Sequence, residues 1–242
     1  MQDRVVLVTG GSRGLGRAIA LAAARRGARV AFTWTRDEDA AQSTLGELRA
    51  IGEAHAYRVS VTDAAGTAAM LKALEAGPGP VDALVNNAAI SQNLPLPLLE
   101  EDDFDKVMDV NVKGTYLTSR AVARTMIRRK QGVILNIGSL AGERILDAPV
   151  HYCASKAAVS GLTRGLAKEL SRHGIRVLCL APGLLEDGLG RNVPEHRLAD
   201  YLGHCALGRV GRLDEIGELA VWLLSDASAL ANGATLLADG GL

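Results

Sequence analysis

Apolar, β-rich runs alternate along the chain with longer stretches of helical period. Residues 5–9 form one such run, Val-Val-Leu-Val-Thr, which predicts a strand. Residues 14–26 follow with Leu15, Ile19, Ala22 and Ala23 on one helical face. The same alternation predicts strands over 29–34, 54–59, 83–86, 133–137, 176–181 and 234–238. It predicts helices over 38–51, 64–76, 104–129, 152–173 and 213–224. Strands this continuously apolar suit a sheet buried on both faces. Strict strand–helix alternation makes that sheet parallel, with right-handed crossovers and helices on both sides. The expectation is therefore an α/β fold, a doubly wound parallel sheet of about seven strands forming a single domain over 1–242. Gly77-Pro78-Gly79-Pro80 is a tight helix-to-strand turn, too short for a domain boundary. Only residues 184–209, polar and glycine-rich, resist assignment. Ligands of open α/β sheets sit beyond the carboxyl ends of the strands. A segment following the strand that ends at Ala181 would overhang that crevice, so it reads as a substrate lid.

Composition narrows the partners. With 242 residues, the chain buries a sizeable core unaided. Lys plus Arg number 27 and Asp plus Glu 27, a balance that gives no reason to expect nucleic acid or a membrane surface. Cys153, Cys179 and Cys205 form no C-x-x-C pair. His55, His151, His173, His196 and His204 show no ligand spacing, so neither a disulfide framework nor a metal site is expected. No apolar run approaches the ~20 residues of a membrane span. Met1-Gln2-Asp3-Arg4 leads straight into the first strand without signal-peptide architecture, so the expected location is cytoplasmic.

Between the first strand and first helix lies Thr9-Gly10-Gly11-Ser12-Arg13-Gly14-Leu15-Gly16. Glycine adopts the positive φ of a sharp turn and lets a phosphate approach the backbone. The helix that starts there offers free N–H groups and a positive dipole end to a pyrophosphate. A merely permissive turn would explain one of these glycines and leave the others unused. The end of the second strand reads Phe32-Thr33-Trp34-Thr35-Arg36, with no acid before Asp37 to accept a ribose hydroxyl. Arg13 and Arg36 instead offer guanidinium forks to a 2′-phosphate, which points to NADP(H). The alternative is that both are solvated surface charges.

The candidate chemistry lies further along. Ser139 follows the strand over 133–137, at a carboxyl strand end. Tyr152 and Lys156, four apart, share one helical face. Asn111 lies within the helix over 104–129, where asparagine is a poor helix former. Tyrosine and lysine four apart are common by chance; with Ser139, Asn111 and the glycine turn they read as one site. A phenol titrates near ~10 and is a poor acid–base group at neutrality. An ammonium ~4 Å away at an effective dielectric of ~20 would favour the phenolate by up to ~4 kcal/mol, less where solvent intervenes. Ser139 would hydrogen-bond a substrate oxygen as charge develops on it.

Across essentially its whole length the chain resembles the short-chain dehydrogenases/reductases. The resemblance rests on T-G-x-x-x-G-x-G at Thr9 to Gly16, Asn86-Asn87-Ala88-Ala89, Ser139, Tyr152-x-x-x-Lys156, Pro182-Gly183 and Asp239-Gly240-Gly241. It implies a Rossmann-type domain that grips a dinucleotide through Gly10, Ser12, Arg13, Gly14, Leu15 and Gly16. Thr35, Arg36, Ser60 and Val61 would join them on the adenosine side. Asn87, Ala88, Ala89, Pro182, Gly183 and Leu185 would lie along the nicotinamide half. Tyr152 and Lys156 would touch the cofactor too, Lys156 through the ribose hydroxyls, while Asn111 orients a relay water. Gly11-Ser12-Arg13-Gly14, Leu207-Gly208-Arg209 and the short lid are most similar to the β-ketoacyl-ACP reductases. This subfamily implies NADPH-dependent reduction of a 3-oxoacyl thioester, possibly on acyl carrier protein, to the 3-hydroxyacyl thioester, in a homotetramer or homodimer. Two other readings stay open: a relative acting on a small alcohol, polyol, sugar or cyclic ketone, and a non-catalytic NADPH-binding scaffold. Three positions depart from the family pattern. Ala89 replaces a glycine, Ser60 replaces an aspartate, and Asp187 stands where a carboxamide-anchoring threonine is common. Arg128, Arg129, Lys130, Arg172 and His173 end two helices and offer a surface for an acidic carrier protein; equally, they complement helix C-termini.

Overall fold

A computed structural model describes residues 1–188, 193 and 195–242. Seven strands form one parallel sheet: β1 (Val5–Val8), β2 (Arg29–Trp34), β3 (Ala54–Arg58), β4 (Ala83–Asn86), β5 (Gly132–Ile137), β6 (Ile175–Pro182) and β7 (Thr235–Ala238). Their order is β3-β2-β1-β4-β5-β6-β7, so the chain reverses direction across the sheet between β1 and β4. The helices are α1 (Gly14–Arg25), α2 (Glu38–Arg49), α3 (Ala64–Ala76), α4 (Glu101–Met108), α5 (Gly114–Arg129), α6 (Val150–Leu170), α7 (Glu195–His204) and α8 (Leu213–Leu224). Among the described residues, no helix is long and apolar enough to cross a membrane.

The two-residue period of a strand explains why β1 is apolar throughout. Val6 and Val8 pack into a core with Ile19 of α1, Leu45 of α2 and Val221 of α8. Val5 and Leu7 point the other way, onto Leu74 of α3, Met126 of α5 and Leu170 of α6. Burying a leucine or valine side chain contributes roughly 1.5–3 kcal/mol, so a polar substitution on either face of β1 would oppose folding. A chain of hydrogen-bonded polar groups crosses the core. Asn86 and Asn136 are register partners on β4 and β5. The Asn86 amide donates to Asn136 Oδ1 and to Ser119 Oγ, both at 2.8 Å, and Asn136 donates to Thr163 Oγ1 at 2.9 Å.

Two expectations need correction. The single helix over 104–129 is two, α4 and α5, joined by one π-helical turn over Asp109–Lys113. There Thr115 Oγ1 donates to the Asn111 carbonyl at 2.8 Å. The segment over 184–209 is not wholly irregular: α7 occupies part of it, and Leu185 bridges to Gly211. Of the expected lid, residues 189–192 and 194 lie outside the described residues.

Candidate active site

Crossovers from opposite faces leave a crevice at the carboxyl edge of the sheet, where the chain reverses direction. One cleft of about 2110 Å³ occupies it and gathers every residue expected to touch a dinucleotide. Gly10, Ser12, Arg13, Gly14, Leu15 and Gly16 line one end with Thr35, Arg36, Ser60 and Val61. Asn87, Ala88, Ala89, Pro182, Gly183 and Leu185 line the middle, beside Ser139, Tyr152 and Lys156.

The glycine turn is built for close approach. Gly10 and Gly14 have φ of 64° and 54°, in the region where a side chain is strained. A Cβ on Gly16 would stand 2.3 Å from the Gly10 carbonyl oxygen. Asn87 braces the turn, its amide donating to the carbonyls of Thr9 and Gly10 at 3.0 Å. The starts of α2 and α3 are capped by Asp37 and Asp63, which accept from Ala40 and Gly66 backbone N–H groups. The start of α1 has no side-chain cap and no acid in its first turn. Its N–H groups therefore face the cleft with the helix dipole behind them, which suits a pyrophosphate. Arg36 is exposed in the same cleft, and Arg13 Nη1 lies 3.9 Å from Asp37.

Ser139 lies just after the buried strand β5 and opens a 3₁₀ turn (Leu140–Gly142), its Oγ accepting from Ala141 N–H at 3.2 Å. Tyr152, on the first turn of α6, lines the same cleft, and its interaction with Ser139 favours the ionised phenol. Lys156, one turn further along, is 4% exposed. Its Nζ donates to the Ile137 carbonyl at 2.8 Å and lies 5.7 Å from the Tyr152 ring centre. The charge balance differs from the sequence expectation. Burial pushes the Tyr152 phenol up to about 12, opposed by its interaction with Ser139. Burial likewise pulls Lys156 down to about 8. Desolvation of both groups outweighs the attraction that would have lowered the phenol.

Asn111 is also placed differently. It is 1% exposed and does not line the cleft. Its Oδ1 accepts from Ile90 N–H at 2.8 Å, and its Nδ2 donates to the Ile90 carbonyl at 2.9 Å and to Ser155 Oγ at 3.0 Å. Ser155 Oγ in turn donates to the Tyr152 carbonyl at 2.8 Å. The Asn111 amide is thus committed to protein partners, tying the wall after β4 to the Tyr152 turn rather than presenting itself to a relay water.

The five basic residues offered for carrier docking are not brought to this site. Each helix that leaves a carboxyl strand end returns to the amino edge, so Lys130 and His173 precede the starts of β5 and β6. Tyr152 and Arg172 sit at opposite ends of α6, roughly 30 Å apart at ~1.5 Å rise per residue. Arg129 is ion-paired with Asp82, Arg128 lies 3.8 Å from Glu75, and Arg172 contacts His173.

Sequence reasoning missed Gly142 and Ser155. A Cβ on Gly142 would stand 2.6 Å from the backbone of Lys156 and Ala157, so only glycine lets the Ser139 turn lie against α6. Ser155 was legible only as the third residue after Tyr152, on a neighbouring helical position.

Fold and site together define a dinucleotide-binding oxidoreductase. The short chain dehydrogenase family model matches residues 4–198. The 3-oxoacyl-[acyl-carrier-protein] reductase FabG of Escherichia coli (strain K12) is 35% identical over 241 residues, covering 100% of this chain and 98% of the relative. Its Pseudomonas aeruginosa counterpart is 36% identical over 243 residues, with 100% and 98% covered. A solved gluconate 5-dehydrogenase from Burkholderia cenocepacia, in complex with NADP and tartrate, superposes with a TM-score of 0.94 at 36% identity, covering 100% of this chain and 96% of that one. A short-chain type dehydrogenase/reductase from Mycobacterium marinum gives 0.91 at 34%, with 99% and 95% covered. The chain belongs to the short-chain dehydrogenase/reductase family.

Proposed function

We propose that this chain is a cytoplasmic, NADPH-dependent reductase that converts a 3-oxoacyl thioester to the 3-hydroxyacyl thioester. The observation that carries the chemistry is that Ser139, Tyr152 and Lys156 line one cleft together with the uncapped start of α1. Full-length similarity to two 3-oxoacyl-[acyl-carrier-protein] reductases supports the thioester. NADPH, when bound, supplies a hydride to the carbonyl carbon. Ser139 Oγ and the Tyr152 hydroxyl hold the carbonyl oxygen, and Tyr152 delivers the proton that oxygen requires. Lys156 keeps a positive charge beneath the phenol and favours its ionised form as the proton leaves. Asn111 and Ser155 are positioning residues for the Tyr152 turn. Exposed Tyr116 on α5, Trp222 on α8 and Leu236 on the edge strand β7 offer apolar surface for a homodimer or homotetramer.

A second reading is favoured by the gluconate 5-dehydrogenase neighbour: reduction of an oxo group on a small sugar acid. Steady-state kinetics with NADPH on acetoacetyl thioesters and on 5-oxogluconate decides between them. The thioester reading expects kcat/KM to be higher for the thioesters; turnover of the sugar acid alone overturns it. No carbonyl reduction with any substrate of a broad panel would leave only a dinucleotide-binding scaffold.

The cofactor reading has its own test. Arg36→Asp is expected to weaken NADPH binding by about 10- to 100-fold, the worth of a charged hydrogen bond of ~1.5–3 kcal/mol, while NADH binding improves. An unchanged NADPH/NADH ratio of dissociation constants would mean that Arg36 does not contact the phosphate.

The pH dependence follows from the two shifts. Tyr152, raised to about 12, keeps its proton through the neutral range, whereas Lys156, lowered to about 8, loses its charge as pH rises through that value. The kcat for ketone reduction is therefore expected to fall on a basic limb near pH 8. A profile with no basic limb through that region would remove the lysine charge from the chemistry.

A further inference from the structure

Beyond Tyr152, the far end of the cleft is lined by the loop after the Ser139 turn, by Lys106 of α4 and by α7. Its acidic side chains are engaged. Glu143 accepts from Ser160 Oγ, Asp147 pairs with Arg197 at 2.6 Å, and Asp187 accepts from Gly188 N–H at 2.5 Å. Asp200, on α7, has His204 at 3.7 Å. Two cations of the same cleft are not engaged. Neither Arg144, five residues after Ser139, nor Lys106 has an ion pair or side-chain hydrogen bond within the described residues, and both are exposed.

An arginine held in a substrate cleft with its fork unused is suited to a carboxylate or phosphate, which it engages through two parallel hydrogen bonds. Lysine adds a point charge without that geometry. The Arg197–Asp147 pair joins α7 to the loop that carries Arg144. It occupies the other guanidinium of this end, which leaves Arg144 and Lys106 as its available cations among the described residues.

We infer that Arg144 and Lys106 form an anion-recognition subsite, so that the preferred substrate carries a phosphate or carboxylate beyond its reacting carbonyl. This rests on the proposed reductase activity and deepens it. The chemistry is common to the phosphate of a pantetheine arm and the carboxylate of an oxo acid; free anion chemistry alone does not separate the two. Arg144 and Lys106 select substrate and take no part in proton or hydride transfer.

The test compares matched pairs that differ by one charged group: 4′-phosphopantetheine against pantetheine, and 5-oxogluconate against its carboxamide. Binding to the NADP-saturated protein is measured by calorimetry, and kcat and KM are measured for the acetoacetyl thioesters of the first pair and for the second pair directly. The anionic member of one pair is expected to bind about tenfold tighter, equivalent to ~1.4 kcal/mol. That advantage should fall to near unity in Arg144→Ala, fall less in Lys106→Ala, be partly kept in Arg144→Lys, and shrink with added salt. The pair that shows the advantage identifies its source. Equal binding of both members in both pairs overturns the inference, as does an advantage that survives in the Arg144→Ala, Lys106→Ala double variant. A charge-dependent binding advantage without turnover would overturn the reductase reading and leave the anion subsite standing, so the two failures are distinct.

Discussion

Tyr152→Phe is expected to lower kcat for carbonyl reduction by about 10²- to 10⁴-fold, the usual worth of a positioned general acid, while the protein still binds NADPH. Phenylalanine keeps the ring and its packing beside Lys156, whose Nζ lies 5.7 Å from the ring centre. Only the hydroxyl is lost, and with it the interaction with Ser139 that favours the ionised phenol. Because Tyr152 lies on the first turn of α6, tied through its carbonyl to Ser155, the backbone has no reason to move. Steady-state kinetics with cofactor binding followed by fluorescence separates the two effects. Turnover within about tenfold of the parent protein, below the usual range for such a group, would assign the proton to another group and remove the central claim about this site.

Gly142→Ala should produce nearly as large a change through packing alone. The added methyl carbon would meet the Ala157 nitrogen and the Lys156 carbonyl carbon at 2.6 Å, well inside contact distance. Both obstacles are backbone, so no side chain can swing aside. Either the 3₁₀ turn that starts at Ser139 lifts off α6, or α6 shifts and carries Tyr152 with it. Overpacking of this kind costs roughly 1–3 kcal/mol of stability, and a displacement of ~1 Å at a reacting centre can cost about 10²-fold in rate. The expected result is a lower unfolding midpoint with a disproportionate loss of kcat, measured by thermal denaturation and kinetics on the same preparation. A Gly142→Ala variant with parent-like kcat would show that the Ser139 turn tolerates movement. Gly165 of α6, with open space around it, serves as the control for the effect of a methyl group alone.

The central strands were legible because they are buried on both faces and therefore read as unbroken apolar runs; β1 and β4 are buried at every position, whereas the edge strands β3 and β7 are only partly covered. The glycine turn was legible because positive φ and close approach restrict those positions to one residue type, as Gly10 and Gly14 display. The Ser139, Tyr152 and Lys156 spacing was legible because two of the three are neighbours on one helical face. Other features were not. The break between α4 and α5 leaves no mark in the hydrophobic period, since a π turn inserts without changing which residues are apolar. α7 was missed because it is only 10 residues long and set in a polar, glycine-rich stretch, although Leu198, Tyr201 and Leu202 fall at helical spacing. The basic helix ends were legible as one charged surface, but only helix direction shows that it lies at the edge of the sheet opposite the cleft.

By itself, then, the sequence determined the doubly wound parallel sheet, the glycine turn and the candidate side chains Ser139, Tyr152 and Lys156 that share one cleft. These depend on local period, on φ preference and on residues close together in the chain. Tertiary structure alone decided that burial raises Tyr152 and lowers Lys156, that the Asn111 amide holds Ile90 and Ser155, and that Gly142 sets the distance from Ser139 to α6. Desolvation, hydrogen-bond partnership and backbone clearance arise between segments far apart in sequence, and exist only once the chain has folded.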